Sequence, residues 1–338
     1  MTVNTYGSIS QRTAAWASKD MLSHAMPIEV LARYAMSKPI PKNTAEGAKF
    51  RRPIPFPPAN TPLTEGVTPA GRAMQYEDVP VTLYQYGDFV EITDKVMDMA
   101  EDPVLKDANM LCGEQAAETI ENLLWGVLTG GTVVGYVSGT GTSRATLVAD
   151  NRLSTASTGL NALRTAVRAL KSQRAKMVTE MLAGSPNYAT EPVGAAFFGF
   201  GHTDFETDLR QITGFVPVEQ YGQSMKAVPY EVGKIESIRF VLSPALVPFY
   251  AAGSSTTTSC KATNSKVDVY PLVIVGKEAY AQVALRGANA MTPMVLNPGV
   301  PRGGDPLGQR GTVGWKTYYN ALRTAETWMY RIEAPVSA

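Results

Sequence analysis

The sequence predicts an α+β fold, and three stretches predict it. One long two-faced helix occupies 102–129, a proline-rich hairpin occupies 48–93, and short strands separated by glycine and proline run from 195 to 332. Asp102-Pro103 opens the helix with a capping carboxylate and a proline at the position where a missing N–H does no harm. Leu105, Ala108, Cys112, Ala116, Ile120, Leu123 and Val127 then recur at three- and four-residue spacing, which makes one apolar stripe. Glu114, Glu118 and Glu121 are expected on the opposite, solvated side, and Gly130-Gly131 ends the helix.

Before the hairpin, Ser10–Met21 and Pro27–Met36 read as two short helices that are marginal without something to pack on. Ser37-Lys38-Pro39-Ile40-Pro41 forces an extended path, so the first forty-five residues read as an arm without a core of its own. Lys49–Phe56 reads as a strand, and Pro53 and Pro55 confine it to an edge because each lacks a ladder donor. Val79–Thr93 is its partner, with Val79, Val81 and Leu83 on one face and Thr82, Tyr84 and Tyr86 on the other. Between them the stretch from Pro57-Pro58 to Tyr76 is too long for a compact domain but is easily placed if the hairpin projects. An isolated hairpin is barely stable in water, so this one needs a surface that its own subunit does not supply. An ordinary long surface loop is the competing reading.

After the helix, Thr132–Val148 reads as strands with glycine-rich turns, and a second helix follows over Thr158–Ala175. Leu160, Leu163, Val167 and Leu170 form its core face beside a basic row of Arg164, Arg168 and Lys171. That row is matched in charge to the Glu114, Glu118 and Glu121 row, within or between subunits; two independently solvated faces are the alternative. Ala195–Phe200 reads as a buried strand, His202-Thr203-Asp204 leads into a short helix capped by Asp204, and Ile235–Leu242 is a strand. Gly253–Ser265 reads as a mobile surface loop. Val267–Val275, Ala279–Leu285, Val313–Leu322 and Trp328–Ile332 are the remaining strands.

At 338 residues, 44% hydrophobic and 18% charged, the chain is long enough for about two domains with a sizeable core. No apolar run approaches the ~18 residues of a membrane span, and the opening residues show no basic-then-apolar signal pattern. Two cysteines exclude a disulfide framework, and Cys112 on the apolar stripe is a core residue, so assembly in a reducing cytoplasm is expected. The formal charge of +1 lacks the basic excess of a dedicated DNA-binding protein. It is made of opposed blocks. Residues 1–60 carry eight basic side chains against three acidic ones, and 86–121 carry ten acidic against two basic, Lys95 and Lys106. Such blocks suit surfaces that meet other parts of the same protein.

Catalytic signatures do not emerge. His24 and His202 have no cysteines or carboxylates at metal-ligand spacing. Gly139-Thr140-Gly141 lacks a following phosphate-loop lysine, and Gly233-Lys234 and Gly276-Lys277 lack the serine or threonine for magnesium. There is no Gly-x-Ser-x-Gly elbow, and no carboxylate pair is set up for glycoside chemistry. The expectation is a structural protein with no catalytic residue, no metal and no cofactor.

Motifs spread along nearly the whole chain carry a resemblance. They are Ala15-Trp16; Met21-Leu22-Ser23-His24-Ala25; Pro41-Lys42-Asn43 with Lys49-Phe50-Arg51-Arg52; and Thr61-Pro62-Leu63-Thr64-Glu65-Gly66-Val67-Thr68-Pro69. Gln85-Tyr86-Gly87, Ile92-Thr93-Asp94, Pro217-Val218-Glu219-Gln220-Tyr221-Gly222 and Ile238-Arg239-Phe240 continue them. The sharpest is Asp305-Pro306-Leu307-Gly308-Gln309-Arg310-Gly311-Thr312-Val313-Gly314-Trp315-Lys316. In this order the chain resembles the major capsid proteins of tailed bacteriophages, in the N-four-like podovirus group, which have the Hong Kong ninety-seven (HK-ninety-seven) fold. Relatives often read His-Pro-Asp where this chain has His202-Thr203-Asp204, so the local turn is expected to differ.

The resemblance implies an N-terminal arm (1–46), an extended loop (47–95), a peripheral domain with the long spine helix (96–151), an axial domain (152–294) and C-terminal strands returning to the peripheral domain (295–338). It implies self-assembly into pentamers and hexamers of an icosahedral shell around double-stranded DNA, built in the host cytoplasm and ending in the virion. Portal and scaffolding proteins, and a decoration protein, are the other implied partners; no membrane is involved. The basic arm can serve either DNA phosphates or subunit contacts. Lys42 and Lys49 lie near the region that some relatives crosslink, but the sequence names no partner, so no crosslink is expected. Expected contact residues between subunits are Lys49, Arg51, Arg52, Glu65, Tyr84, Tyr86, Glu114, Glu118 and Glu121. The alternatives are an encapsulin-like compartment of the same fold and, from another class, a soluble α+β enzyme or ligand-binding module.

Overall fold

The computed structural model describes residues 29–95 (apart from 42, 44, 45, 64, 67 and 69), 104–137, 143–182 (apart from 155), 190–221, 227–255, 259–285, 291–299 (apart from 297) and 303–338. The expected helix at 10–21, the Asp102-Pro103 cap and the Gly139-Thr140-Gly141 turn lie outside them.

In chain order, a 3-10 turn at Leu31–Arg33 precedes β1 (Met36–Ser37). The hairpin strands β2 (Gly47–Pro53) and β3 (Tyr76–Thr82) follow, then β4 (Tyr84–Thr93) and helix α1 (Val104–Thr129). Next come β5 (Val134–Tyr136), α2 (Ala156–Ser172), β6 (Val178–Leu182), β7 (Thr190–Gly201) and α3 (Phe205–Gln211). The chain then forms β8 (Phe215–Pro217), β9 (Glu231–Ile235), β10 (Ile238–Leu242), β11 (Ala262–Thr263) and β12 (Lys266–Val267). It finishes with β13 (Tyr270–Val275), β14 (Tyr280–Ala284), β15 (Met291–Leu296), β16 (Arg310–Arg323) and β17 (Met329–Ala334).

Two sheets organise these strands. In the smaller one, β16 pairs with β4 along one edge, with β15 and β14 following one another along the other, and β1 runs parallel to β14. The larger sheet has the order β5-β17-β13-β7-β10-β9-β8, with β6 also on β7. Its central strands are buried on both faces, which is why Tyr270–Val275 reads as an unbroken apolar run instead of alternating. Leu272, Ile274 and Phe197 pack toward Leu163, Leu170 and Leu209 of the helices α2 and α3. Val273, Val275, Phe198 and Phe200 pack on the other side, into a core shared with α1 and the smaller sheet. Both sheets combine strands from either side of the expected boundary at 294/295: β14 and β15 pair with β16, and β13 pairs with β17.

The spine helix ends at Thr129 as expected, but arginines from the C-terminal strands complete that end. The Arg331 guanidinium donates to the carbonyls of Thr129 and Gly131, and Arg323 Nη1 donates to that of Val127 at 2.7 Å. Cations there meet the negative end of the helix dipole and satisfy its last carbonyls. Arg331 is itself paired with Glu333, which is fully buried and also takes Arg144 at 2.6 Å.

Three sequence expectations need correction. Residues 29–36, the described part of the helix expected over 27–36, form a single 3-10 turn and the start of a strand. This segment is no unsupported arm either, because Val30, Leu31, Ala32, Tyr34 and Ala35 lie inside the main core. The described residues of the 253–265 tract are pinned at both ends: Gly253 donates to the Val267 carbonyl, Ser254 donates to that of Leu147, and Cys260 is buried against Ser337. Finally, Asp204 makes no side-chain cap bond to α3. Its carboxylate accepts from Tyr270 Oη at 2.9 Å and pairs with Lys261 at 2.7 Å.

Candidate assembly surfaces

The hairpin of β2 and β3 is in register from Gly47 opposite Thr82 to Pro53 opposite Tyr76. Its base rests on its own subunit, where Phe50 and Val81 join Ile40, Ala281 and Val283 in a small apolar cluster. Lys38 ties the two limbs together, donating to the Lys49 carbonyl at 2.8 Å and lying over the Phe50 ring. Beyond Pro53 that support ends. The described residues between 54 and 75 are all exposed, and they include Ile54, Phe56, Leu63 (77% exposed) and Met74. Large apolar side chains clustered on a projecting loop mark an interaction surface.

The expected contact residues fall into three groups. On the hairpin, Arg51 pairs with Asp78 and Arg52 with Glu77, each at 2.7 Å across the two strands, and all four side chains stand in solvent. The hydrogen bond and charge of Arg51 hold the Asp78 carboxyl below its usual range. Lys49 is exposed beside them, and Glu65 is exposed at the tip next to Gly66, whose φ of 76° a side chain would resist. On β4, Tyr84 is exposed, whereas Tyr86 packs partly against the main core. On α1, Glu118 is exposed and Glu114 half-buried, so both reach the outer face.

Glu121 does not join them; its placement on the solvated side was wrong. It is 0% exposed, and its carboxyl accepts the Leu31 N–H at 2.9 Å and the Val30 N–H at 3.3 Å. The arm root crosses this flank of the helix and covers it, an event that helix periodicity cannot announce. The α1 stripe is accordingly wider than expected, taking in Asn109, Ala117, Leu124, Trp125 and Leu128 as well as Cys112, Ala116 and Ile120. The basic row of α2 does not meet the acidic row within the subunit. Arg164 pairs instead with Glu236 at 2.6 Å.

The second surface is the outer face of the smaller sheet. Phe89 and Met294 flank Gly314 in one row of the ladder, Leu296 lies in the next row of that face and Tyr318 two rows the other way; all four are exposed. Gly314 fits because a Cβ there would come within 2.6 Å of Phe89. The edge of β4 away from β16, which has no strand partner among the described residues, borders this face.

His202 Nδ1 and the Asp204 carboxylate sit 3.2 Å apart. His202 Nδ1 accepts the Asp204 backbone N–H, and burial lowers the imidazole pKa, so the ring serves the turn as a neutral acceptor.

A projecting hairpin, one dominant helix and two sheets sharing that helix's core place this chain among the viral shell folds. The profile of the family described as Phage capsid protein matches residues 76–332, and the chain belongs to that family. It is a structural protein of the virion with the HK-ninety-seven fold. The capsid of Ralstonia phage GP4 superposes with a TM-score of 0.63 at 13% identity, covering 90% of this chain and 88% of that one. The capsid of the cyanophage P-SCSP1u gives 0.61 at 14% identity, with 90% and 88% covered. The major capsid protein of Pseudomonas phage KPP21 is 23% identical over 127 residues. That alignment spans 35% of this chain and 32% of the relative's own length.

Proposed function

We propose that this chain is the major capsid protein of a tailed phage, which self-associates into pentamers and hexamers of a closed icosahedral shell around double-stranded DNA. The observation that carries the reading is the 54–75 loop: it holds large apolar side chains clear of the subunit's own cores within a chain of the phage capsid family. In this reading 1–46 is an arm, 47–95 the extended loop, 96–151 the peripheral domain with the spine helix, 152–294 the axial domain, and 295–338 the returning strands. The loop lies over a neighbouring subunit, where Ile54, Phe56 and Leu63 lose their contact with water. Each contact is weak alone, but a subunit held in several places gains from high effective concentration, and misplaced subunits can still leave. Assembly takes place in the host cytoplasm, with portal and scaffolding proteins as further partners.

The exposed hairpin pairs are poised to exchange partners, because surface ion pairs contribute little stability and are readily replaced. Lys49, Arg51 and Arg52 then face Glu114 and Glu118 of a neighbour. The test is charge exchange. Arg51→Glu with Arg52→Glu should leave a folded, soluble subunit that forms no shells, and adding Glu114→Lys with Glu118→Lys should restore them. Normal shells from the first variant would refute the pairing. The broader reading is tested by electron cryo-microscopy of the expressed full chain, alone and with scaffolding protein. Closed megadalton particles are expected, and a small oligomer in both preparations contradicts it.

A further inference from the structure

The docked arm root is held in an unusual way. Glu121 sits fully inside the subunit, and its partners among the described residues are main-chain amides, not a cation. Both of its oxygens lie within hydrogen-bond distance of the Leu31 N–H, at 2.9 and 3.1 Å. On the other side of the turn, Tyr280 Oη donates to the Leu31 carbonyl at 2.7 Å and Gln282 Nε2 donates to that of Ala32 at 3.0 Å. The root is thus a short piece of chain clamped at four successive peptide groups by three side chains. The docked state is also imperfect: Tyr34 packs on Phe198 and Phe200, yet its buried hydroxyl has no partner among the described residues. A buried polar group without a partner opposes docking.

We propose that residues 29–40 form a detachable root, latched by Glu121, whose docking is strong when that carboxyl is protonated and weakens once it must ionise. The inference concerns the single subunit and does not depend on shell closure. Amide donors favour the carboxylate, but burial works harder in the opposite direction and raises the Glu121 pKa to about 8. Undocking exposes the same group to water, where it regains an ordinary carboxyl pKa. The docked state therefore binds the extra proton. Docking is strongest at acidic pH, loses ground as the released form ionises, and levels off once pH passes about 8, where the docked form ionises too.

The groups facing Glu121 support this sense. From the root itself, Glu29 opposes a second negative charge and Arg33 favours one. The Glu29 carboxyl is likewise raised by burial, so it adds to the same trend. Tyr280 on β14 and Tyr319 on β16 have hydroxyl pKa values pushed well up by burial, which keeps them neutral throughout. Tyr34 is pushed up as well, first by burial.

Amide hydrogen exchange on the full-length subunit at pH 6 and pH 9, corrected for intrinsic exchange, tests the latch. Protection at residues 30–40, taken relative to β13, should fall by about tenfold or more in the wild type. Glu121→Gln keeps an acceptor but cannot ionise, so its protection should be the same at both pH values. Glu29→Gln should keep the transition but move it to lower pH, because a negative neighbour is gone. Tyr280→Phe should lower protection at both pH values and leave the pH dependence intact. Wild-type protection that does not change with pH overturns the proposal, even if the Gln variants fail to fold. So does a parallel fall in wild type and Glu121→Gln.

Discussion

The arm root and the extended loop look alike in sequence: both carry apolar side chains without a long periodic element, are broken by proline, and are joined to the body through extended chain. In the structure they are opposites. The root places Leu31 at 0% exposure, caps its peptide groups with Glu121, Tyr280 and Gln282, and adds β1 to the edge of the smaller sheet. The loop leaves Leu63 at 77%, and its backbone strand pairing stops near the hairpin base, where the Ile54 N–H donates to the Gln75 carbonyl at 2.9 Å. Supply of partners, not composition, separates them. A limb is internal when the body offers hydrogen-bond donors and acceptors and a groove, and it is for a neighbour when the body offers neither.

The strongest way to sharpen this contrast is to remove the limb that lacks internal support. Replacing 54–75 by a two-residue Asn-Gly turn closes the hairpin with a geometry that suits its twist. Thermal unfolding of the subunit should not change, while particle formation, followed by sedimentation, should be lost. Next in size is truncation of the internal limb. Leu31→Ala should destabilise the subunit by about 2–5 kcal/mol through the cavity it leaves. The matched Leu63→Ala should change subunit stability by less than about 0.5 kcal/mol and show its effect in assembly alone. Equal losses of stability from the two substitutions would erase the distinction. The smallest effect belongs to the bridge between the limbs. Lys38→Met removes an exposed cation–π contact and one hydrogen bond, and should cost about 0.5–1 kcal/mol in chemical denaturation.

Much of this fold could be read from residue spacing. The spine helix runs to Thr129, the first hairpin strand lies within a few residues of its expected place, and buried strand fills Ala196–Phe200 and Tyr270–Val275 of the two apolar runs. The strand expected over Val79–Thr93 divides instead, into β3 on the hairpin and β4, which pairs with β16. What escaped was placement that depends on partners distant in sequence. Glu121 falls on the same helical flank as Glu114 and Glu118, and only a segment ninety residues away buries it. Arg331 and Arg323 cap a helix that ends two hundred residues earlier, which no local pattern reveals. Asp204 looked like a cap because of its position before α3, but Tyr270 and Lys261 take its carboxylate instead. At the candidate surfaces, Lys49, Arg51, Arg52 and Glu65 of the hairpin and Tyr84 of β4 could be recognised as exposed, because proline and charge keep all but the base of that hairpin in solvent. The apolar row of Phe89, Gly314 and Met294 was missed, since it exists only once three strands are in register.

The most direct test of the account compares hydrogen exchange at residues 54–75 in dilute, strictly monomeric subunits and in assembled particles. Rapid exchange in the monomer and strong protection in the particle are predicted, with residues 30–40 protected in both at neutral pH. Protection of 54–75 in the solitary monomer equal to that in the particle would contradict it.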